Sequence, residues 1–356
     1  MGTGCVQGIA ATLVWRLGAL IADPVCALCL RCTSPGAFFD GRLTQHTVIT
    51  RSQIRSMRLI HLTDPHLSIL DGVSWRDLTG KRWSGYLSWR KRRRHEHRPE
   101  MLERLLTAIH AEQPDLIALT GDLVHIGLAQ EVEQAAAWLA RLGPPERVFL
   151  VPGNHDLYGA DSWSAVRAQW RAYLHLESAA EQATPFPEYP LCWRFPGVSV
   201  IGLCSSLPTP VFLATGQIGA AQLQGLSVQL RSAADRGDYR VVLIHHPPLP
   251  GQTHWRKALV DAEPLSRVLA AVGAELVLHG HLHRNGERID GAMRVYGSAS
   301  ASSVVAKERA SYRVFDIDPG ATSTRVSMRL MQAGPAASGG FHKIAEQSWV
   351  SASAPG

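Results

Sequence analysis

The sequence predicts an α/β sandwich built on mixed sheets, and three observations lead there. In the first half of the chain, short runs of branched apolar residues alternate with segments whose apolar positions repeat at helical spacing. In the second half the strand-like runs come closer together. The early strand-like runs end in polar clusters rather than in plain turns.

Taken in order, "MRLIHLT" at 57–63 is the first convincing strand. Pro99 opens a helix in which Leu102, Leu105, Leu106 and Ile109 share one face. "DLIALT" at 115–120 is a second buried strand, Ala129–Leu142 an amphipathic helix, and "RVFLV" at 147–151 a third strand. Further strands are expected at 198–204, 240–245, 275–279, 293–297 and 311–317, with helices at 161–175, 220–234 and 262–272. The domain so outlined spans 57–332 and carries an insert at 74–98. The tail after about residue 332, "QAGPAASGG…SASAPG", reads as small and polar, and residues 333–356 are expected to be flexible. Residues 1–56 look foreign to the rest. Their apolar stretch is broken by Arg16, Asp23 and Pro24, too soon for a membrane span. They are read as a disordered extension or a mis-called start ahead of Met57, with a weak membrane anchor as the rival.

The chain has 356 residues, of which 46% are hydrophobic, and this suits a soluble globular protein. Cysteine usage argues against a disulfide scaffold and for a reducing compartment. Cys5, Cys26, Cys29 and Cys32 crowd the N-terminal region, leaving Cys192 and Cys204 in apolar surroundings. "CALCLRC" invites a metal-cluster reading but lacks partner ligands. The net charge of +6 is concentrated in "KRWSGYLSWRKRRRHEHR" (81–98), where eight basic residues face one acid, +7, so the remainder carries 6 − 7 = −1. A near-neutral body with one basic element is not a generally basic nucleic-acid binder.

The strand ends carry the chemistry. "TDPHL" supplies Asp64 and His66; "TGDLV" supplies Asp122; "VPGNHD" supplies Asn154, His155 and Asp156; "LIHHPP" supplies His245 and His246. "LVLHGHLHRN" (276–285) adds His279, His281 and His283 around Gly280. Imidazole is the commonest metal ligand. Ligand sites in α/β sheets gather at the carboxyl ends of strands. Any one of these residues could cap a helix or make a turn, but five such ends together are hard to explain by packing.

The order D-x-H, G-D, G-N-H-D, H, G-H-x-H resembles the calcineurin-like metallophosphoesterases, across residues 57–330. "HHPP" and "LHGHLH" look most like the bacterial cyclic-nucleotide phosphodiesterase branch. The resemblance implies a four-layer αββα sandwich of two mixed sheets with two metal ions at one edge. It implies that Asp64, His66 and His283 bind the first metal, that Asn154, His245 and His281 bind the second, and that Asp122 bridges them. Mixed nitrogen and oxygen donors suit divalent or trivalent ions such as Mn, Fe or Zn. The implied reaction is hydrolysis of a phosphodiester by a metal-bridging hydroxide, with His155 protonating the leaving alkoxide. Gly121, Gly153 and Gly280 are expected to let the backbone turn beside the ions, and His246 and His279 to pack beside the ligands. One departure stands out. The family's serine/threonine phosphatases follow G-D with an acid and "RG", whereas this chain has "GDLVHIG" with His125 at that point, leaving open what orients His155 and disfavouring a phosphoprotein substrate.

The insert holds Trp75, Trp83, Tyr86 and Trp89 among its cations. Three readings stand: a solvated loop, a single-strand nucleic-acid contact, and peripheral contact of residues 81–94 with an anionic membrane. The membrane reading is preferred to the nucleic-acid one, and the expected location is cytoplasmic or peripheral on the inner face of the membrane. Arg256 and Lys257 are candidates to hold an anionic substrate group. The leading expectation is a metal-dependent phosphodiesterase of a nucleotide-like or other small phosphoester. Its rivals are a pyrophosphohydrolase of a lipid-linked nucleotide of the UDP-2,3-diacylglucosamine type, an exonuclease-like enzyme, and a non-catalytic scaffold. The scaffold is disfavoured because every expected ligand is present.

Overall fold

The computed structural model describes residues 55–67, 70–176, 189–335 and 339–352. In chain order the strands are β1 (Met57–Leu62), β2 (Leu116–Leu119), β3 (Val148–Leu150), β4 (Leu191–Phe195), β5 (Val198–Gly202), β6 (Tyr239–Leu243), β7 (Leu276–His279), β8 (Gly286–Asp290), β9 (Met293–Gly297), β10 (Ser311–Pro319), β11 (Ser323–Ala333) and β12 (Phe341–Ala352). The helices are α1 (Lys81–Ser88), α2 (Arg94–Glu96), α3 (Pro99–Ala111), α4 (Ala129–Leu142), α5 (Ser162–Trp170), α6 (Ala220–Asp235) and α7 (Ala262–Val272).

Two mixed sheets result. One has the order β12-β11-β10-β1-β2-β3, the other β4-β5-β6-β7-β9-β8. β1, β2 and β3 run parallel, as do β5, β6, β7 and β9, while antiparallel strands flank both sets. The parallel strands are buried on both faces, which is why they read as unbroken apolar runs. Alternation along the strands sets the layers. Val198, Val200, Val241, Leu243, Leu276 and Leu278 join the core of β1–β3, α3 and α4. Their neighbours Ile201, Val242, Ile244 and Val277 face the other way, onto Leu226 and Leu230 of α6 and Leu265 and Leu269 of α7. Helices outside two facing sheets make the four-layer αββα sandwich.

Three expectations need correction. The tail is not flexible throughout: Phe341–Ala352 forms β12, which pairs along the length of β11. It is an edge strand with an exposed face, so it shows little burial pattern; Phe341 and Trp349 pack on the core, and Arg294 lies over the Trp349 ring at 4.5 Å. The insert is not an open loop. α1 passes into a π-helical stretch, Trp89–Arg93, and then into α2. Finally, β4, β8 and β11 are additional to the expected strands, with Val326, Met328 and Leu330 alternating inward in β11. The readings placed on residues 1–54, with Cys5, Cys26, Cys29 and Cys32, lie outside the described residues. Cys192 and Cys204 are free thiols.

Candidate metal centre

The loops that leave β1, β2, β3, β6 and β7 converge, bringing Asp64, His66, Asp122, Asn154, His155, His245, His281 and His283 to one edge of the sandwich. Five of these residues adopt the left-handed backbone that side chains avoid: Asp64 (φ 52°), His66 (43°), Asp122 (59°), His281 (70°) and His283 (53°). Each such conformation costs about 1–3 kcal/mol and persists only where the surroundings over-determine it. Here hydrogen bonds between loops do so: Asp64 N–H donates to Gly121 C=O (2.9 Å), His66 N–H to Asp122 C=O (3.1 Å) and Gly280 N–H to His245 C=O (3.0 Å). Two of the three glycines answer a different need from the expected one. Gly121 has a positive φ of 80°, but Gly153 and Gly280 provide room. A Cβ at Gly153 would lie 2.2 Å from Asp122 Oδ1, and one at Gly280 would lie 1.9 Å from Thr63 Oγ1.

The side chains fall into two groups that could each hold a metal ion: Asp64, His66, Asp122 and His283, and Asp122, His245 and His281. Asp122 belongs to both. A third, overlapping group adds His97 to His66 and His283. The hydrogen bonds show what these donors want. His66 Nδ1–H donates to Val124 C=O (2.9 Å), so its Nε2 presents a lone pair, and that nitrogen faces His283 Nε2 at 3.2 Å. His245 Nδ1–H donates to Thr120 C=O (2.7 Å), which turns its Nε2 into the cluster. It faces Asn154 Oδ1 at 3.1 Å, His281 Nδ1 at 3.3 Å and Asp122 Oδ2 at 3.4 Å. Acceptors gathered at such distances repel one another unless a cation, either a proton or a metal ion, lies among them. His281 Nε2 and Asp64 Oδ1 are buried without a hydrogen bond, and Asp64 Oδ1 lies 3.2 Å from His283 Nε2. The donor set therefore fits metal ions, with mixed imidazole nitrogen and carboxylate oxygen.

Electrostatics agrees with the geometry. Burial and then the neighbouring imidazoles hold His66 and His281 well below the usual histidine range, which keeps them neutral and able to ligate. Burial works against charge on His245, but Asp122 and Asp64 outweigh it and raise the ring to about 9. Burial likewise opposes the Asp64 carboxylate, yet His283 and the Thr63 hydroxyl hold it below its usual value.

His155 is oriented by a backbone group. Its Nδ1–H donates to His125 C=O at 2.5 Å, so it is the His125 carbonyl that fixes the ring. Glu131 shapes that loop by accepting from the N–H groups of His125 (2.8 Å) and Leu128 (2.9 Å). The His155 backbone N–H donates to Asp122 Oδ1 at 2.7 Å. Burial, then Arg93, keeps the ring neutral. His246 accepts or donates at Ser205 Oγ (2.8 Å), and His279 Nδ1 lies 3.0 Å from Gly280 O; neither belongs to a metal-holding group among the described residues.

Two residues went unassigned in the sequence. Asp156 accepts from four backbone N–H groups, those of Asp122 (2.9 Å), Leu123 (2.7 Å), Val124 (3.3 Å) and Gly153 (2.7 Å), and so ties the β2 loop to the β3 loop. Its place in "GNHD" was the available signal. Arg93 of the insert donates to His155 Nε2 at 2.9 Å, and nothing in a run of basic residues marked it out from its neighbours. Lys257 lines the cleft of about 270 Å³ over Asp122, Asn154 and His281. Arg256 does not line that cleft. It borders an adjoining cavity of about 530 Å³, walled by Tyr158, Phe212 and Leu213, and its guanidinium lies 5.2 Å from the Trp255 ring centre.

Comparison with known proteins follows the same line. The calcineurin-like phosphoesterase family profile matches residues 57–285. A probable cyclic nucleotide phosphodiesterase of Synechococcus sp. (strain WH7803) is 29% identical over 244 residues, 64% of this chain and 75% of that protein. The 3',5'-cyclic adenosine monophosphate phosphodiesterase CpdA of Pseudomonas aeruginosa is 26% identical over 270 residues, 74% of this chain and 84% of that protein. Among solved structures, a dimetal phosphatase from Danio rerio superposes with a TM-score of 0.55 at 13% identity, over 82% of this chain and 98% of that one, a likeness of fold.

Proposed function

We propose, from the premise that the chain belongs to the calcineurin-like phosphoesterase family and is a phosphoester hydrolase, that it cleaves a phosphodiester of a nucleotide-like small substrate with two metal ions. The observation behind this reading is the pair of acceptor clusters that share Asp122. Asp64, His66 and His283 would hold one ion, Asn154, His245 and His281 the other, and Asp122 both. Mn, Fe and Zn all suit the donors. When bound, such ions supply Lewis acidity, activating water and neutralising phosphate charge.

The chain's own groups supply the rest. The His125 carbonyl fixes the Nδ1 proton of His155, which leaves Nε2 as the atom that meets substrate. In the free protein burial and Arg93 keep this ring neutral; once Arg93 turns to an anionic phosphate that favours the charged ring, Nε2 takes up a proton from solvent and hands it to the departing alkoxide, and the neutral ring is left with Nδ1–H still bonded to His125. The apolar cavity behind Tyr158 receives the organic part of the ester.

A second reading is favoured by one surface feature. Trp83 and Leu87 lie one turn apart on α1, both exposed, beside exposed Arg90, Lys91 and Arg94. Such a face suits an anionic bilayer, and with it a lipid-linked substrate. One panel separates the readings: manganese-loaded protein with bis-p-nitrophenyl phosphate, cyclic AMP, UDP-diacylglucosamine and single-stranded DNA. The proposed function expects turnover of the first two. Turnover of UDP-diacylglucosamine alone would transfer the assignment to the lipid-linked class, and turnover of none would remove it.

A further inference from the structure

The insert places an unpaired cation in the active-site cleft. Arg82 pairs with Asp161 and Arg92 with Glu96. Arg93, half-buried, has no carboxylate partner among the described residues, and its guanidinium donates only to the neutral His155 ring. Lys257 comes from a different segment, the turn at Trp255–Lys257, and its ammonium has no hydrogen bond or ion pair among the described residues. Both residues line the cleft that holds Asn154, His155, His281 and His283, and both also border the adjoining cavity. Burial and then the charges of Arg93 and Arg92 lower the Lys257 ammonium below its usual range, while Asp64 and Asp122 act in the opposite sense.

Packing of the insert sets where Arg93 points. Arg93 ends the π-helical stretch that Trp89 begins, and Trp89 is plugged, 3% exposed, into a cluster of Leu70, Leu78, Ile126, Leu128 and Tyr158. π-Helical turns recur at functional sites because they re-aim a side chain that an α-helix would point elsewhere. Asp122 and Asp64 offset part of the repulsion between the two cations, but among the described residues neither cation has a carboxylate at ion-pair distance, so an anion entering the cleft would complete both. A guanidinium fork matches phosphate oxygens two at a time.

We propose that Arg93 and Lys257 form a two-sided clamp on the substrate's phosphate, and that the insert is thereby a binding wall of the active site. The clamp rests on the phosphoesterase reading, because the anion it grips is the reacting phosphate. On substrate binding Arg93 exchanges His155 Nε2 for a phosphate oxygen, which frees that nitrogen to face the leaving group.

The test is calorimetric titration of inorganic phosphate into the manganese-loaded full chain, with metal content and melting temperature recorded for each variant. Arg93→Gln should weaken phosphate binding about 10- to 100-fold, the range set by one or two charge-assisted hydrogen bonds. Arg93→Lys should recover only part of the loss. Lys257→Gln should weaken binding about 10-fold, while Arg90→Gln, exposed and outside both cavities, should match wild type. Wild-type phosphate affinity in a folded, metal-replete Arg93→Gln protein overturns the clamp. Should Arg93→Gln not fold, Lys257→Gln decides, since that side chain has no bond to lose; unchanged affinity there overturns the clamp too. Wild-type protein that binds phosphate but hydrolyses no diester removes the proposed function and leaves the clamp. Hydrolysis with no effect of Arg93→Gln on phosphate affinity does the reverse.

Discussion

The floor of the site and its wall are built differently. The floor is five strand ends whose side chains are almost wholly buried, such as Asp64 (0%), Asp122 (1%) and His245 (0%). It combines backbone strain with crowded acceptor groups that fit a cation. The wall is the insert, a surface helix in which Trp83 is 51% exposed and in which buried Trp89 and Arg82 supply the attachment. It meets the floor at three places: Arg93 reaches His155, Arg82 reaches the loop after Asp122, and His97, at the insert's end, lies with His66 and His283 in the third metal-holding group. The difference separates two tasks. A rigid, strained floor fixes chemistry, and an attached wall selects what the chemistry acts upon.

If the two tasks are separable, damage to the floor should abolish the reaction and damage to the wall should alter only binding. The largest effect belongs to Asp122→Asn. The change removes the charge shared by both clusters, so the protein should hold fewer than two metal ions per chain by elemental analysis. Activity should fall about 10³-fold or more, because several kcal/mol of charge stabilisation depend on the ions. Full metal occupancy in this variant would break the comparison at its base.

His155→Ala comes next. An alanine keeps the backbone N–H that donates to Asp122, so the metals should stay. Turnover of esters with poor leaving groups should drop about 10²–10⁴-fold, the usual worth of a positioned acid. p-Nitrophenyl esters should suffer less, since that leaving group hardly needs a proton. Equal losses on both substrates would move His155 from proton transfer to binding.

How far each part was legible follows from the same contrast. The floor could be read because burying Asp, His and Asn after apolar runs is costly without a purpose, and the purpose leaves short, fixed spacings. The parallel strands could be read because both faces are apolar. β12 could not, since an edge strand is specified by its partner's backbone and only weakly by its own side chains. In the insert, periodicity could not distinguish Arg93, turned inward by a π-helical stretch, from Arg90, Lys91 and Arg94, which face solvent. Identical residue types in one run differ only through tertiary packing. The role of Gly153 and Gly280 was misread for a related reason: room for an aspartate or a threonine side chain from another loop is invisible in local sequence.

The smallest effect is the most discriminating. Arg82 is buried and donates to the carbonyls of Ile126 (3.1 Å) and Gly127 (2.8 Å), and to Asp161 (2.8 Å) and Ser162 (3.2 Å). It fastens α1 to the loop that carries His125. Arg82→Met keeps the stem's packing but leaves those carbonyls unpaired, so stability should fall by about 1–3 kcal/mol and the melting temperature by several degrees. No cluster residue is touched, so metal content should equal that of wild type. With the wall loosened, Arg93 is held less firmly, and KM for a small diester should rise several-fold while kcat changes little. A drop in kcat matching the rise in KM would mean that the wall also aligns the His125 carbonyl on His155, so that floor and wall are one device. Loss of metal would mean more, because strain in the floor would then be held in place by the insert itself.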